Sequence, residues 1–364
     1  MQPRPRTDAG KRPERKSDMP SAIRILTFAL PVVIAIATLE GLVLAFVMGR
    51  NYNWRAYFAS LADALGRQYI VLTFFALSLA APAYDLASSH RLFTISIDTA
   101  VAAVVLLVGQ DFCYYWFHRC SHRIRWFWAT HAVHHSSNDL NFAAAYRFGW
   151  TGRLTGATIF YVPLVWLGFE PRAVFIAQAL NLLYQFWLHT EWIPRLGWLE
   201  YVLNTPSHHR VHHAANPEYL DHNYGGVLIV FDRIFGTFVA ERDDLPCRYG
   251  LVQPLRSNNP VFIAFHEWIA LVRDLWRARS WRDRWSYLVE PPGWEPDHEQ
   301  SARGTAFEGE SWSWLSEGSD HFASHAGVVA GLVPATLNFR GQSTVRGGRD
   351  EPGHDPAEAA GALT

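Results

Sequence analysis

The sequence predicts an all-α integral membrane protein: a helical bundle with about four to five apolar segments, carrying a histidine-rich helical metal-binding cap on its cytoplasmic side. Three observations point there. Of 364 residues, 49% are hydrophobic and only 18% are charged, against about 25% charged in average soluble domains. Aromatics reach 15%, with 16 Trp and 23 Phe. Histidine is abundant and uneven: of 17 in the chain, eleven fall between His118 and His222. The net charge of −1 provides no basic field for nucleic acid. Cys113, Cys120 and Cys247 make neither a CxxC motif nor a disulfide framework, which suits a reducing compartment.

In chain order, residues 1–22 are polar and Pro-rich with six basic side chains (Arg4, Arg6, Lys11, Arg12, Arg15, Lys16), the composition of a disordered head. Residues 23–64 hold the first membrane segment and its loop. Within them, 25–48 has one charge, Glu40, and one proline, Pro31; as a helix it exceeds the roughly 30 Å bilayer core. Further apolar runs cover 69–84, 92–110 (interrupted by Asp98), 154–169 and 173–188, the last two split by Glu170-Pro171. Buried helices of a large soluble domain share this composition, but five such runs in one chain favour a membrane. Residues 261–295 alternate apolar positions with Arg273, Arg277, Arg279, Arg282 and Arg284 and are punctuated by Trp268, Trp276, Trp281 and Trp285. That reads as an amphipathic helix at the headgroup level. Residues 296–364 are Gly/Ser/Ala-rich without periodicity, a disordered tail.

Loop arginines set the orientation. Arg50, Arg55 and Arg67 against Asp63 put the 49–68 loop in the cytoplasm. Two crossings return the chain there at His118, among Arg119, Arg123 and Arg125, and a hairpin over 154–188 delivers His189 to the same side. The basic head conflicts with one full crossing by 25–48, so the orientation of that segment stays open.

Three histidine clusters stand out: an HxxxH at His118 and His122, an HxxHH at His131, His134 and His135, and His208, His209, His212 and His213, which contains a second HxxHH. His189 sits alone at the end of the last apolar run. On a helix, positions i, i+3 and i+4 share a face. At this histidine content a given HxxHH arises by chance about 0.04 times, so two together are a strong signal. Ten imidazoles are too many for one ion and suffice for two, and an all-nitrogen site suits iron, with zinc, copper and nickel also compatible. Two alternatives use the same residues: a zinc-binding membrane hydrolase or carrier without redox turnover, and a membrane protein whose histidines sense pH. HExxH, GxSxG, P-loop and GxGxxG motifs do not occur.

With these motifs, DFCYYWFHRCSH (111–122), HAVHHS (131–136), NTPSHHRVHH (204–213), DHNYGG (221–226) and FDRIFGTF (231–238), the chain resembles the fatty acid hydroxylase/sterol desaturase superfamily of membrane di-iron enzymes over 65–260. FWLHT (186–190) and YGLVQP (249–254) resemble the bacterial sterol desaturase-like branch that is similar to alkylglycerol monooxygenases. The resemblance implies two iron ions, O2 as co-substrate and a membrane lipid substrate hydroxylated or desaturated at a C–H bond. It implies ligation by His118, His122, His131, His134, His135, His189, His209, His212 and His213, with His208 as a tenth candidate. It also implies a separate electron donor of ferredoxin or cytochrome type, and a bacterial inner membrane location. Asp111 and Asp232 are expected to orient imidazoles. Arg123 stands where the ether-cleaving branch tends to carry Glu, and His222 where Lys is common.

Overall fold

A computed structural model describes residues 20–73, 80–152 and 154–296. All lie within one compact unit, Met1–Glu310. Most of the expected basic head and nearly all of the expected tail fall outside the described residues. Eleven α-helices occur among those described: α1 (Pro20–Leu42), α2 (Trp54–Thr73), α3 (Ala80–Ser89), α4 (Ala100–Arg123), α5 (Arg125–His135), α6 (Val162–Leu167), α7 (Pro171–Phe186), α8 (Pro206–His212), α9 (Val230–Ile234), α10 (Pro260–Arg277) and α11 (Trp281–Val289). A π-turn, Val43–Val47, prolongs α1. No strand forms among the described residues; there are only isolated bridges such as Ile95 with Phe169. The all-α expectation holds.

Two helical stretches are long and apolar enough to cross a membrane, Phe28–Val47 and Ala100–Arg123. This is fewer than the four to five segments read from composition, and the punctuation of the chain explains why. Run 92–110 becomes helical only at Ala100, where Thr99 caps the helix by accepting from Ala102 N (3.2 Å). That helix then continues to Arg123, so the first histidines share it with the apolar run. Run 154–169 is broken by Gly156 and Gly168, both at positive φ, into a 3-10 turn and the six-residue α6. Pro171 opens α7 at its first turn, and its 16 residues extend about 24 Å, short of a full crossing. Run 69–84 divides between α2 and α3, with 74–79 outside the described residues.

One core joins α3, α4, α6 and α7 through Tyr84, Leu106, Leu164, Val165 and Val174. A second packs α1 and α2 against the 142–146 segment through Ala37, Tyr57, Phe142 and Tyr146. A third seats α10 and α11 on α5 through Ala129, Leu271 and Tyr287. The expected single helix over 261–295 is two, because Ser280 starts a new one by accepting from Asp283 N.

Candidate metal centre

Ile124 alone separates α4 from α5, in extended conformation, and this sharp corner folds the end of α4 back over the start of α5. His118 and His122, one turn apart on α4, thereby face His131 and His135, one turn apart on α5. His212 from the end of α8 completes this group of five, and His134, His189, His209 and His213 form a second group of four. Within each group the ligand atoms lie within 4.8 Å of one another. Eight of the nine residues are buried and His131 is partly so. The two HxxHH motifs divide reciprocally. Each gives its i and i+4 imidazoles to one group and its i+3 imidazole to the other. The groups adjoin at His135 and His213, whose rings stack 4.4 Å apart.

Outer partners fix the imidazoles. His118 Nδ1 donates to Tyr224 O (2.8 Å), His212 Nδ1 to His222 O (2.9 Å), His134 Nδ1 to Arg147 O (3.1 Å) and His189 Nδ1 to Gln185 O (2.9 Å). A neutral imidazole that donates at Nδ1 holds a lone pair at Nε2. These Nε2 atoms point inward and converge: His118 and His131 at 3.0 Å, His134 and His189 at 3.2 Å, His189 and His209 at 3.0 Å. Burial first, and then the neighbouring imidazoles, hold His131, His134, His135, His209, His212 and His213 well below the ordinary imidazole range. Burial lowers His189 to about 4. Converging neutral lone pairs without a carboxylate among them fit transition-metal cations and not the oxygen-seeking Mg²⁺ or Ca²⁺.

His208 joins neither group. One position before His209 on α8, it is rotated away, packs on Phe238 (5.3 Å between rings) and lies 3.9 Å from Glu200. Asp111 and Asp232 touch no imidazole. Asp111 accepts from Val227 N (2.9 Å), Leu228 N (2.8 Å) and Asn181 Nδ2 (2.7 Å). Asp232 accepts from Tyr224 N, Gly225 N and Thr237 Oγ1, each at 2.7 Å. Both act through the backbone strip whose Tyr224 carbonyl receives His118. The strip passes so close that a Cβ on Gly226 would lie 2.6 Å from Asp111 Oδ1, which requires glycine there.

Two supporting carboxylates escaped the sequence reading. Asp221, held at φ 62°, lies 3.6 Å from His122 Nδ1 and pairs with Arg123 at 2.8 Å. Arg123 thus lies outside both groups. Glu40, buried in α1, accepts from Phe142 N (2.7 Å) and Trp192 Nε1 (3.0 Å), and from Thr190 Oγ1 at 3.4 Å, beside His189. Its signal was present: a lone acid in an apolar run demands a partner.

A helical bundle with two adjoining polyhistidine sites is the class that this geometry defines. Residues 103–237 match the model of the fatty acid hydroxylase family. The chain is 42% identical to human alkylglycerol monooxygenase over 208 residues, 57% of this chain and 46% of the relative. It is 36% identical to the Caenorhabditis elegans alkylglycerol monooxygenase over 216 residues, 57% and 42% of the two chains. It is 32% identical to ornithine lipid hydroxylase OlsE of Rhizobium tropici over 140 residues, 38% and 42%. The chain thus spans less than half the length of these relatives. No solved structure matches it.

Proposed function

We propose that this chain is a membrane-bound non-haem di-iron oxidoreductase that uses O2 to hydroxylate a lipid C–H bond. The observation that carries this reading is the pair of buried imidazole groups. They adjoin a cavity of about 260 Å³ that His131, His134 and His189 help to line. The lipid-oxidising names of the relatives support it. Arg123, where the ether-cleaving branch tends to carry Glu, pairs with Asp221 outside both groups, so this departure leaves the ligand set unaltered. Hydroxylation consumes O2, two electrons and two protons; one oxygen atom enters the C–H bond and the other leaves as water. A separate ferredoxin- or cytochrome-type protein supplies the electrons.

His118, His122, His131, His135 and His212 would hold one iron, and His134, His189, His209 and His213 the other. Bound there, the pair supplies O2 activation and abstraction of hydrogen from an unactivated C–H bond. The chain's own contribution is orientation. Carbonyls of Arg147, Gln185, His222 and Tyr224 keep four imidazoles in the ligating tautomer. Phe117, Phe127, Phe148 and Phe186 give the cavity an apolar wall for a lipid chain.

The site faces the cytoplasm in this reading, on the side of the loop arginines, with the bilayer being a bacterial inner membrane. Residues 23–64 are the N-terminal membrane segment and 65–260 the di-iron domain. Residues 261–295 form an interfacial foot: Trp276, Trp281 and Trp285 are largely exposed, while Leu271 and Tyr287 on the other side are buried against α5. The decisive experiment is metal content of protein purified from iron- and zinc-supplemented cells, beside a His134→Ala, His135→Ala double variant. That variant removes one imidazole from each group. Two irons per chain, falling sharply in the variant, with O2-dependent lipid product when a reductant is supplied, is the expected result. One zinc, or no metal in either protein, would overturn it in favour of the hydrolase or sensor alternatives.

A further inference from the structure

The wall of the cavity between α4 and α7 carries a polar relay inside otherwise apolar helices, a costly placement that calls for a use. Its orientation is fixed from one end. Asp111 is an acceptor bound by Val227 N and Leu228 N, so Asn181 must turn its amide nitrogen toward it. Asn181 Oδ1 is then left to accept from Gln185 Nε2, and Gln185 Oε1 accepts from Tyr114 OH (2.7 Å). Asn181 Nδ2 also donates to Gln110 Oε1 at 3.0 Å. Reversing the Gln110 amide would set two NH2 groups against each other, so its oxygen is committed and its nitrogen is not. Gln110 is 1% exposed, lines the cavity, and its Nε2 has no partner. Each other amide and hydroxyl in the relay is engaged.

We propose that Gln110 Nε2 is the group that reads an acceptor oxygen on the bound molecule. The cavity accordingly selects an oxygen-bearing lipid over a plain hydrocarbon chain. Gln110 is a specificity residue in this assignment, set by Asn181 and Asp111 behind it. The assignment rests on the cavity being the lipid site of the proposed function. A buried donor left unmatched by a hydrocarbon disfavours that ligand, whereas an ether, ester or hydroxyl oxygen satisfies it.

The test is equilibrium binding to the full-length protein in lipid nanodiscs, with 1-O-octadecylglycerol and octadecane as probes, each corrected for its partition into empty nanodiscs. The unaltered protein is expected to favour the oxygenated probe by roughly tenfold or more. Gln110→Leu is expected to reduce that preference about tenfold, with octadecane binding no more weakly than before. Gln110→Met, similar in length and without the donor, should do the same and guards against a folding defect in the first variant. A preference unchanged in both variants, or absent from the unaltered protein, overturns the role of Gln110 alone. Failure of both probes to bind overturns the lipid-site reading and this assignment with it.

Discussion

The five-imidazole group draws its outer support from residues 221–237, while the four-imidazole group draws on helices at the other end of the chain. In the first, a single turn supplies three successive contacts: the Asp221 carboxylate to His122, the His222 carbonyl to His212 and the Tyr224 carbonyl to His118. Asp232, eight residues on, ties that turn down. In the second, His134 rests on the Arg147 carbonyl. The Arg147 guanidinium donates to Ser60 Oγ (3.1 Å) and Ala56 O (3.3 Å) of α2, and Asp63 of α2 accepts from Phe148 N (3.0 Å) and Gly149 N (3.2 Å). Glu40 of α1 holds the turn after His189, and Arg210 donates to Thr190 O (3.1 Å) in the same turn. Similar ligand sets can therefore have unlike foundations. The first group is built within the family-matched segment 103–237, and the second depends on α1 and α2, which precede it.

Removing a ligand from each group breaks this comparison most severely. His209→Ala leaves three imidazoles in the second group, whereas His212→Ala leaves four in the first. Metal affinity at the second group should fall by more than about 100-fold in His209→Ala, beyond what an outer partner costs. His212→Ala should retain its ion with weaker binding. Metal content and affinity of the two variants measure the difference, and equal loss from both would mean that the groups share ligands instead of dividing them five and four. Glu40→Gln comes next. It places an amide donor against one of the donors of Phe142 and Trp192, at a cost of about 1–3 kcal/mol. Thermal unfolding should shift down and the second ion should be lost first. Uniform loss of both ions would remove the link between α1 and the second group.

Asp221→Asn is the matching probe of the first group. The contact with His122 is longer and the carboxylate partly exposed, so the expected loss is near tenfold in affinity at the first group only. Titration of the metal-free variant with Fe²⁺ would read this as one weakened site and one unchanged site. Loss at the second group instead would show that the supports of the two groups are not separate.

The sequence made part of this legible. HxxHH spacing announces three imidazoles on one side of a helix, because i, i+3 and i+4 lie within one face. It does not announce that the middle residue joins the other group, since that depends on two helices meeting at the Ile124 corner. Glu40 was visible as the single charge in an apolar run, yet Phe142, its partner, is 102 residues away and no local pattern connects them. Composition also could not distinguish helices that cross a bilayer from those stopped by Gly156 and Gly168, because hydropathy is averaged over windows that ignore φ. Asp111 and Asp232 were read as imidazole partners on type and position, but the backbone strip 224–228 intervenes and takes their hydrogen bonds.

The smallest expected effect on metal is at His208, and it tests the division at its edge. Its neighbour His209 belongs to the second group, and sequence alone places both among the candidates. Rotation by one residue on α8 turns His208 to Phe238 and Glu200, and its own carbonyl accepts from Asn223 Nδ2 (3.1 Å), a contact that survives truncation of the side chain. His208→Ala should therefore cost stability by cavity formation, about 1–3 kcal/mol, and leave metal content as in the unaltered protein. The two quantities separate the roles. An ordinary ligand loses metal before the fold is affected, whereas a packing residue lowers the unfolding temperature while the ions stay. A His208→Ala protein that folds normally and binds one ion fewer would place a tenth imidazole at the centre and overturn the grouping of nine.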